Sequence, residues 1–185
     1  FIREQAGVSA PSSSLVKAAM INGARDLGTA DIPNAAEGWG EVDLERTVLP
    51  MDGSTALNTF FDDRKVLAPG FGLLYSFSID PSHGMDLTLA WTDEAGSANA
   101  AQTEARLVNN LDLVLVDPDG NEWLGNDFSQ GYSTTGGTAD DVNNVERIRV
   151  APGTLSSGSG NWIIKVLHRG GTDQDFALVM SALAT

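Results

Sequence analysis

Between residues 112 and 146 the chain concentrates side chains that bind hard cations: Asp112, Asp127, Asp140, Asp141, Asn143, Asn144 and Glu146. Calcium takes six to eight oxygen ligands, and a set of carboxylates and amides on neighbouring loops supplies them. Asp112 is the telling member, because it opens the run LDLVLV (residues 111–116), which is apolar on both faces. A charge there is costly unless it is paired or metal-bound. No lysine occurs from residue 102 to residue 154, so neutralisation falls to Arg106, Arg147, Arg149 or a metal. One reading makes Asp112, Asp127, Asp140, Asp141, Asn143 and Glu146 the ligands of a structural Ca2+. The other pairs Asp112 with an arginine and leaves the loop acids facing water.

Other chemistry is sparse. Asp117-Pro118-Asp119-Gly120-Asn121 imitates the start of a calcium loop, but an EF-hand needs glycine sixth and an acid twelfth; here glycine is fourth and Phe128 twelfth. Pro-Asp-Gly between two apolar runs predicts a hairpin turn instead. The two histidines, His83 and His168, support neither a zinc site nor a triad. No G-x-S-x-G elbow presents a serine, and cysteine is absent. His83 lies in the turn PSHG and is expected to be solvated. The chain by itself is therefore expected to be inactive. Trp91 and Trp162 fall on inward strand positions and Trp39 in a Gly-Trp-Gly turn, whereas Trp123 follows a turn and is the candidate for exposure. An exposed tryptophan on a β-sandwich would suit an autonomous carbohydrate- or matrix-binding module, the rival class of function.

A net charge of −14 opposes contact with nucleic acid or an anionic membrane, because phosphates are repelled. It suits a hard-cation binder, a saline habitat or a well-solvated surface. No apolar run approaches the ~20 residues that a spanning helix requires, so a soluble chain is expected.

The elements that position these residues fall into two regions. Residues 1–50 read as helical. Ser12 or Ser13 caps a helix carrying Leu15, Ala18, Ala19 and Asn22 on one side and Val16 and Met20 on the other, so burial nearly all round is expected. Asp26-Leu27-Gly28 reads as its end, and Asp43 caps a second short helix through Val48. Such helices need a sheet to lie on. Residues 51–185 read as about eight short strands without intervening helices, which predicts an antiparallel jelly-roll sandwich. Its inward faces are Leu73, Tyr75, Phe77 and Ile79; Met85, Leu87, Leu89 and Trp91; Ile148 and Val150; Trp162, Ile164 and Val166; and Phe176, Leu178 and Met180. The stretch PMDGST (residues 50–55) is the natural hinge, and residues 155–160 form a small Gly/Ser loop.

The words Leu15-Val16-Lys17-Ala18, Ile21-Asn22-Gly23-Ala24, Pro33-Asn34, Gly38-Trp39-Gly40 and Val42-Asp43-Leu44-Glu45-Arg46 stand in an order and spacing that resembles the end of a subtilisin-like serine protease catalytic domain. Three further words, LVNNLDL (107–113), GNDF (125–128) and NNVE (143–146), with the corner Trp91-Thr92-Asp93, resemble the carboxy-terminal β-barrel of alkaline subtilases. That barrel is related in shape to the P domain of proprotein convertases. The loop 131–141, GYSTTGGTADD, departs from the family pattern in lacking aromatic and basic residues. The resemblance implies a secreted parent protease whose Ser, His and Asp lie upstream of residue 1. It implies calcium stabilisation, a polypeptide substrate for the parent, and the parent's own catalytic domain as partner. It also implies that the sheet supporting the helices belongs to that catalytic domain.

Overall fold

The computed structural model describes residues 1–5, 7–28, 31–99, 107–154 and 160–185. Three short helices come first: α1 (Ile2–Gln5), α2 (Ser13–Gly23) and α3 (Leu44–Val48). A two-residue hairpin, β1 (Met51–Asp52) and β2 (Thr55–Ala56), follows at the expected hinge. Then come β3 (Asn58–Leu67), β4 (Gly72–Ile79), β5 (Met85–Ala90), β6 (Asn110–Val116), β7 (Glu122–Ser129), β8 (Tyr132–Thr135), β9 (Val145–Val150), β10 (Gly160–Gly170) and β11 (Gln174–Ala182). Arg106 and residues 155–159 lie outside the described residues.

The chain is mostly β, and its two main sheets are antiparallel, in the orders β4-β10-β6-β7-β8 and β3-β11-β5-β9. They face each other across one apolar core that includes Leu87, Leu113, Ile148, Trp162 and Leu178. The period-two patterns select these inward residues, and β6 is central and covered on both faces, as its continuous apolar run requires. Asp117 closes the β6–β7 hairpin by accepting from the amides of Asp119 and Asn121, so the Pro-Asp-Gly turn is a turn.

Strand β5 departs from simple alternation, because Thr88 and Ala90 on its outer face are as buried as Leu87 and Leu89. The cover is α2. Leu15, Ala18, Ala19 and Ile21 form a second apolar cluster with Ala90, Val145, Ala177 and Val179 on the outside of the four-stranded sheet. In this structure, then, the helix rests on the sandwich's own sheet. The larger side chains there, Leu15, Ile21, Val145 and Val179, contribute ~1.5–3 kcal/mol each, and the four alanines less.

Helix α2 begins as its sequence dictates, with the Ser12 hydroxyl accepting from the Leu15 amide at 3.0 Å. It stops at Gly23, short of the expected Asp26-Leu27-Gly28, where α3 crosses it. A Cβ on Gly23 would lie 2.7 Å from the Thr47 Cα, so only glycine allows the approach. Asp43 caps α3 through the Arg46 amide at 3.0 Å. The expectation of all-round burial fails for Val16 and Met20, which are 41% and 37% exposed. Within the described residues α2 has a sheet on one side only.

Candidate functional site

Asp112 stands on β6, 2% exposed, and its Oδ2 accepts from Nε of Arg169 on the neighbouring strand β10. The pairing arginine is thus one that the patterning did not single out. A strand-neighbour position immediately before the Gly170-Gly171 turn was the available signal. Glu146 on β9 is 1% exposed, and its Oε2 accepts from the Leu113 amide. It enters where β7 departs from regular pairing with its neighbours: a Cβ on Gly125 would lie 2.7 Å from the Glu146 Cβ, which explains the glycine of the GNDF word. Burial, then the charges of Asp112 and Asp140, push the Glu146 carboxyl well above its ordinary range, against the Leu113 hydrogen bond and Arg169. Three buried oxygens nearby in sequence and register lack hydrogen-bond partners among the described residues: Asn110 Oδ1, Asp112 Oδ1 and Glu146 Oε1.

The other acids and amides are differently engaged. Asp140 closes its own loop, accepting from the amides of Val142 (2.8 Å) and Asn143 (3.1 Å) and from the side chains of Asn126 and Asn143. Burial raises its pKa, but those four hydrogen bonds outweigh it and hold the carboxyl below its ordinary value. Asp127 accepts from the Thr134 hydroxyl at 3.0 Å, and Asp141 is exposed. Asn144 donates to the Trp91 carbonyl at 3.0 Å and accepts from Lys17 of α2. As placed, no three acidic or histidine side chains among the described residues surround a common ion position.

Much of what looks like chemistry in the sequence is joinery. Asn126, with φ +63°, accepts from the Arg147 amide (2.8 Å) and donates to the Val145 carbonyl, so it satisfies the outer edge of β9. Asp93 accepts from the amides of Val108 and Asn109 at 2.7 and 2.9 Å, while Trp91 Nε1 donates to the Asn109 carbonyl. The Asn of Ile21-Asn22-Gly23-Ala24 is buried under α2, donating to Ser181 Oγ and accepting from Thr88 Oγ1. Arg147 is fully buried, and its Nη2 donates to the carbonyls of Asn22 and Ala24 at the end of α2 and to Asp86 at 2.9 Å. Asp86 also accepts from Arg149 at 3.0 Å and faces Arg46 of α3. Burial pushes the Arg147 guanidinium down to about 10, so it stays charged at neutral pH.

His83 is not free in solvent: its Nδ1 meets Asp52 at 3.1 Å. His168 is buried with Nε2 2.7 Å from the Thr172 carbonyl rather than from a carboxylate or a serine. Trp123 is 4% exposed and belongs to the core, so the aromatic platform of a sugar-binding module is missing where it was expected.

A concave surface beside α2 is largely apolar. The uncovered face of α2 and the Gly-Trp-Gly turn form a groove of ≈ 620 Å³ lined by Pro11, Val16, Met20, Ala24, Trp39 and Val42. The helix is fixed beneath it at both ends. Ser12 donates to Asp63 of β3 and Ser14 shares a hydrogen bond with Thr92, while Asn22 and Arg147 hold the other end. The groove is therefore rigidly presented. No helix among the described residues is long and apolar enough to cross a membrane.

No protein-family model matches this chain. Over 154 residues it is 34% identical to a Dictyostelium discoideum protein named serine protease/ABC transporter B family protein tagA, a match that covers 80% of this chain and 9% of that protein. The chain thus spans less than a tenth of that relative's length. Among solved structures, a Sulfurospirillum deleyianum protein is similar with a TM-score of 0.34 and 10% identity, covering 68% of this chain and 97% of that one. An infectious bursal disease virus structure gives a TM-score of 0.20 and 12% identity over 73% of this chain and 45% of that one. Both are too distant to inform the fold.

Proposed function

We propose that this chain is the non-catalytic carboxy-terminal portion of a secreted subtilisin-like serine endopeptidase. Residues 1–50 end the catalytic domain, and residues 51–185 form a calcium-stabilised jelly roll that braces it. The observation that carries the reading is the bare apolar face of α2. A helix docked firmly on one side and left with Val16, Met20 and a tryptophan turn open on the other is built to be covered. That helix carries the Leu-Val-Lys-Ala and Ile-Asn-Gly-Ala words of the protease resemblance, and the 34% identical relative is named a serine protease. Leaving aside the β1–β2 hairpin and short β8, the sheets run first-eighth-third-sixth and second-seventh-fourth-fifth, which supports the jelly-roll reading.

Calcium fits part of the predicted ligand set. Asp112, Glu146 and Asn110 supply buried oxygens without partners, the hard donors that calcium prefers. Asp127, Asp140, Asp141 and Asn143 join only by exchanging their present hydrogen bonds or by moving their loops. The ion would neutralise the buried carboxylates and stabilise the folded state by about 2.7 kcal/mol at a hundredfold excess over Kd.

The test uses the longer protease. Val16→Asp with Met20→Asp should shorten its thermal-inactivation half-life severalfold while leaving the melting of the present chain nearly unchanged; an unaltered half-life removes the bracing role. The present chain should show background hydrolysis of casein and no fluorophosphonate labelling. Stoichiometric labelling of a serine would overturn the non-catalytic assignment.

A further inference from the structure

Beneath the end of α2 lies the chain's one asparagine followed directly by glycine, Asn22-Gly23. Asparagine is a thermolabile residue, and most so before glycine, where no side chain hinders the next backbone nitrogen. Once the Gly23 amide gives its proton to hydroxide, its nitrogen can attack Cγ of Asn22. The bond from Cγ to Nδ2 then breaks, and Nδ2 leaves as ammonia with a proton from water. Water opens the resulting succinimide. Cleavage at Cγ gives aspartate; cleavage at the backbone carbonyl gives isoaspartate, in which the chain runs on through Cβ and Cγ.

The docked helix opposes each step. Asn22 is 5% exposed, and Gly23 is buried beside it in the last turn of α2. Nδ2 of Asn22 donates to Ser181 Oγ of β11 at 3.0 Å, and its Oδ1 accepts from Thr88 Oγ1 of β5 at 3.1 Å. The side-chain amide is thus pinned to the sheet, while helical backbone holds the Gly23 nitrogen in place. The fold nevertheless uses both halves of the labile pair. The amide serves two strands at once, and the missing side chain of Gly23 admits Thr47 of α3.

We propose that Asn22-Gly23 is a site of spontaneous deamidation gated by the docking of α2, whose isoaspartyl product makes a transient lifting of the helix permanent. Lifting withdraws the hydroxyls of Thr88 and Ser181 and admits water to the pair. Arg147 Nη2 grips the carbonyls of Asn22 and Ala24 together, at 3.1 and 3.2 Å. In isoaspartate the first of these becomes a free carboxylate, and the backbone to Ala24 is one carbon longer. The two groups no longer stand at the spacing that Arg147 holds, so the end of α2 does not return to its seat. Chemistry in the open form then sets a working lifetime for the fold. The inference rests on this pair and its partners, independently of the protease reading.

The test ages the full chain in neutral buffer below its melting midpoint. Trypsin then releases residues 18–25, AAMINGAR, in which Asn22 is the sole asparagine. Mass spectrometry reads the exchange of the amide nitrogen for oxygen, and chromatography separates isoaspartate from aspartate. Asn22 should react at least ~100-fold more slowly in the chain than in the synthetic peptide AAMINGAR, and urea below the unfolding transition should narrow that gap. Ser12→Ala removes the cap and the bond to Asp63 at the far end of α2, without touching the reacting pair. It should speed deamidation of Asn22 at least ~3-fold and leave Asn121, in the β6–β7 turn, at its former rate. Thr88→Val, which frees Oδ1, should act in the same direction and carries the test if Ser12→Ala does not fold. The isoaspartyl chain, separated by anion exchange, should have lost hydrogen-exchange protection over residues 13–23 and kept it in β5 and β11. A rate equal to that of the peptide, no reaction at Asn22 even in urea, or no acceleration in the folded variants overturns the proposal. So does an isoaspartyl chain whose α2 is as protected as before.

Discussion

The two faces of α2 are alike in composition and opposite in circumstance. One sets Leu15, Ala18, Ala19 and Ile21 against Ala90, Val145, Ala177 and Val179, with Asn22 hydrogen-bonded to two strands at once. The other sets Val16, Met20 and Trp39 around an open groove. The covered face is specified twice, by apolar fit and by polar partners of fixed geometry. The open face has apolar surface and almost no polar specification within this chain. A helix with both faces apolar therefore reports how many partners it has altogether, not how many it has here.

Removing residues 1–50 is the harshest way to break the comparison. It uncovers four apolar side chains of the outer sheet face and strips Arg147 of the Asn22 and Ala24 carbonyls. Urea unfolding of the remaining 51–185 should show the largest loss of all, and a midpoint equal to that of the full chain would mean that the sandwich ignores its helix. Arg147→Ala should follow at about 3–5 kcal/mol, the usual result of breaking a buried ion pair by removing one partner. A loss under 1 kcal/mol in denaturant melts would show that Asp86 is served well enough by Arg149 and Arg46.

Calcium comes next. Melts in millimolar calcium against EDTA should differ by about 2–3 kcal/mol, and Asp112→Ala or Glu146→Gln should erase most of that difference. Coincident melts of the wild type would mean that the acids hold no ion. Without calcium, Glu146 sets a pH dependence whose sign is fixed. Its folded pKa lies above its unfolded one, so the native state binds the extra proton between the two values. Stability then falls as pH rises through that window, and calcium, which favours the carboxylate, should help more at pH 8 than at pH 5. Asn22→Ala should cost about 1–3 kcal/mol, leaving Thr88 and Ser181 without their shared partner. The mildest change belongs to the open face: Val16→Ser with Met20→Gln should shift the present chain by no more than ~0.5 kcal/mol in the same melts. A large loss there would make the groove part of the fold rather than a surface awaiting a partner.

The strands of the sandwich were legible because period-two patterns survive wherever one face meets a core, and the caps Ser12 and Asp43 because their chemistry is local. The docking of α2 was not. Nothing in Ala90, Ala177 or Val179 tells a strand residue under a helix from one in a sheet interior. Asp112 announced itself as a charge in an apolar run, but its partner, Arg169, is 57 residues away and found only through the β6–β10 register. Trp123 misled because a position soon after a turn can already lie within a strand, and here, second in β7, it turns its indole inward. The GNDF and NNVE words read as ligands because asparagine and aspartate serve both calcium and strand edges. Only placement separates Asn126, an edge cap, from Glu146, a carboxylate with an oxygen to spare.

Arg147 also decides how the molecule responds to salt. Exposed pairs such as Arg25 with Glu41 lose their attraction as the screening length contracts from about 10 Å at 0.1 M to about 3 Å at 1 M. The contacts from Arg147 to the end of α2 are buried, and the Asp86 side chain that it meets is only 15% exposed, so mobile ions screen them far less. Brine therefore quiets the mutual repulsion of an acidic surface while leaving the helix fastened to its sheet. The groove keeps its shape across ionic strengths that would loosen a helix held by surface charges alone.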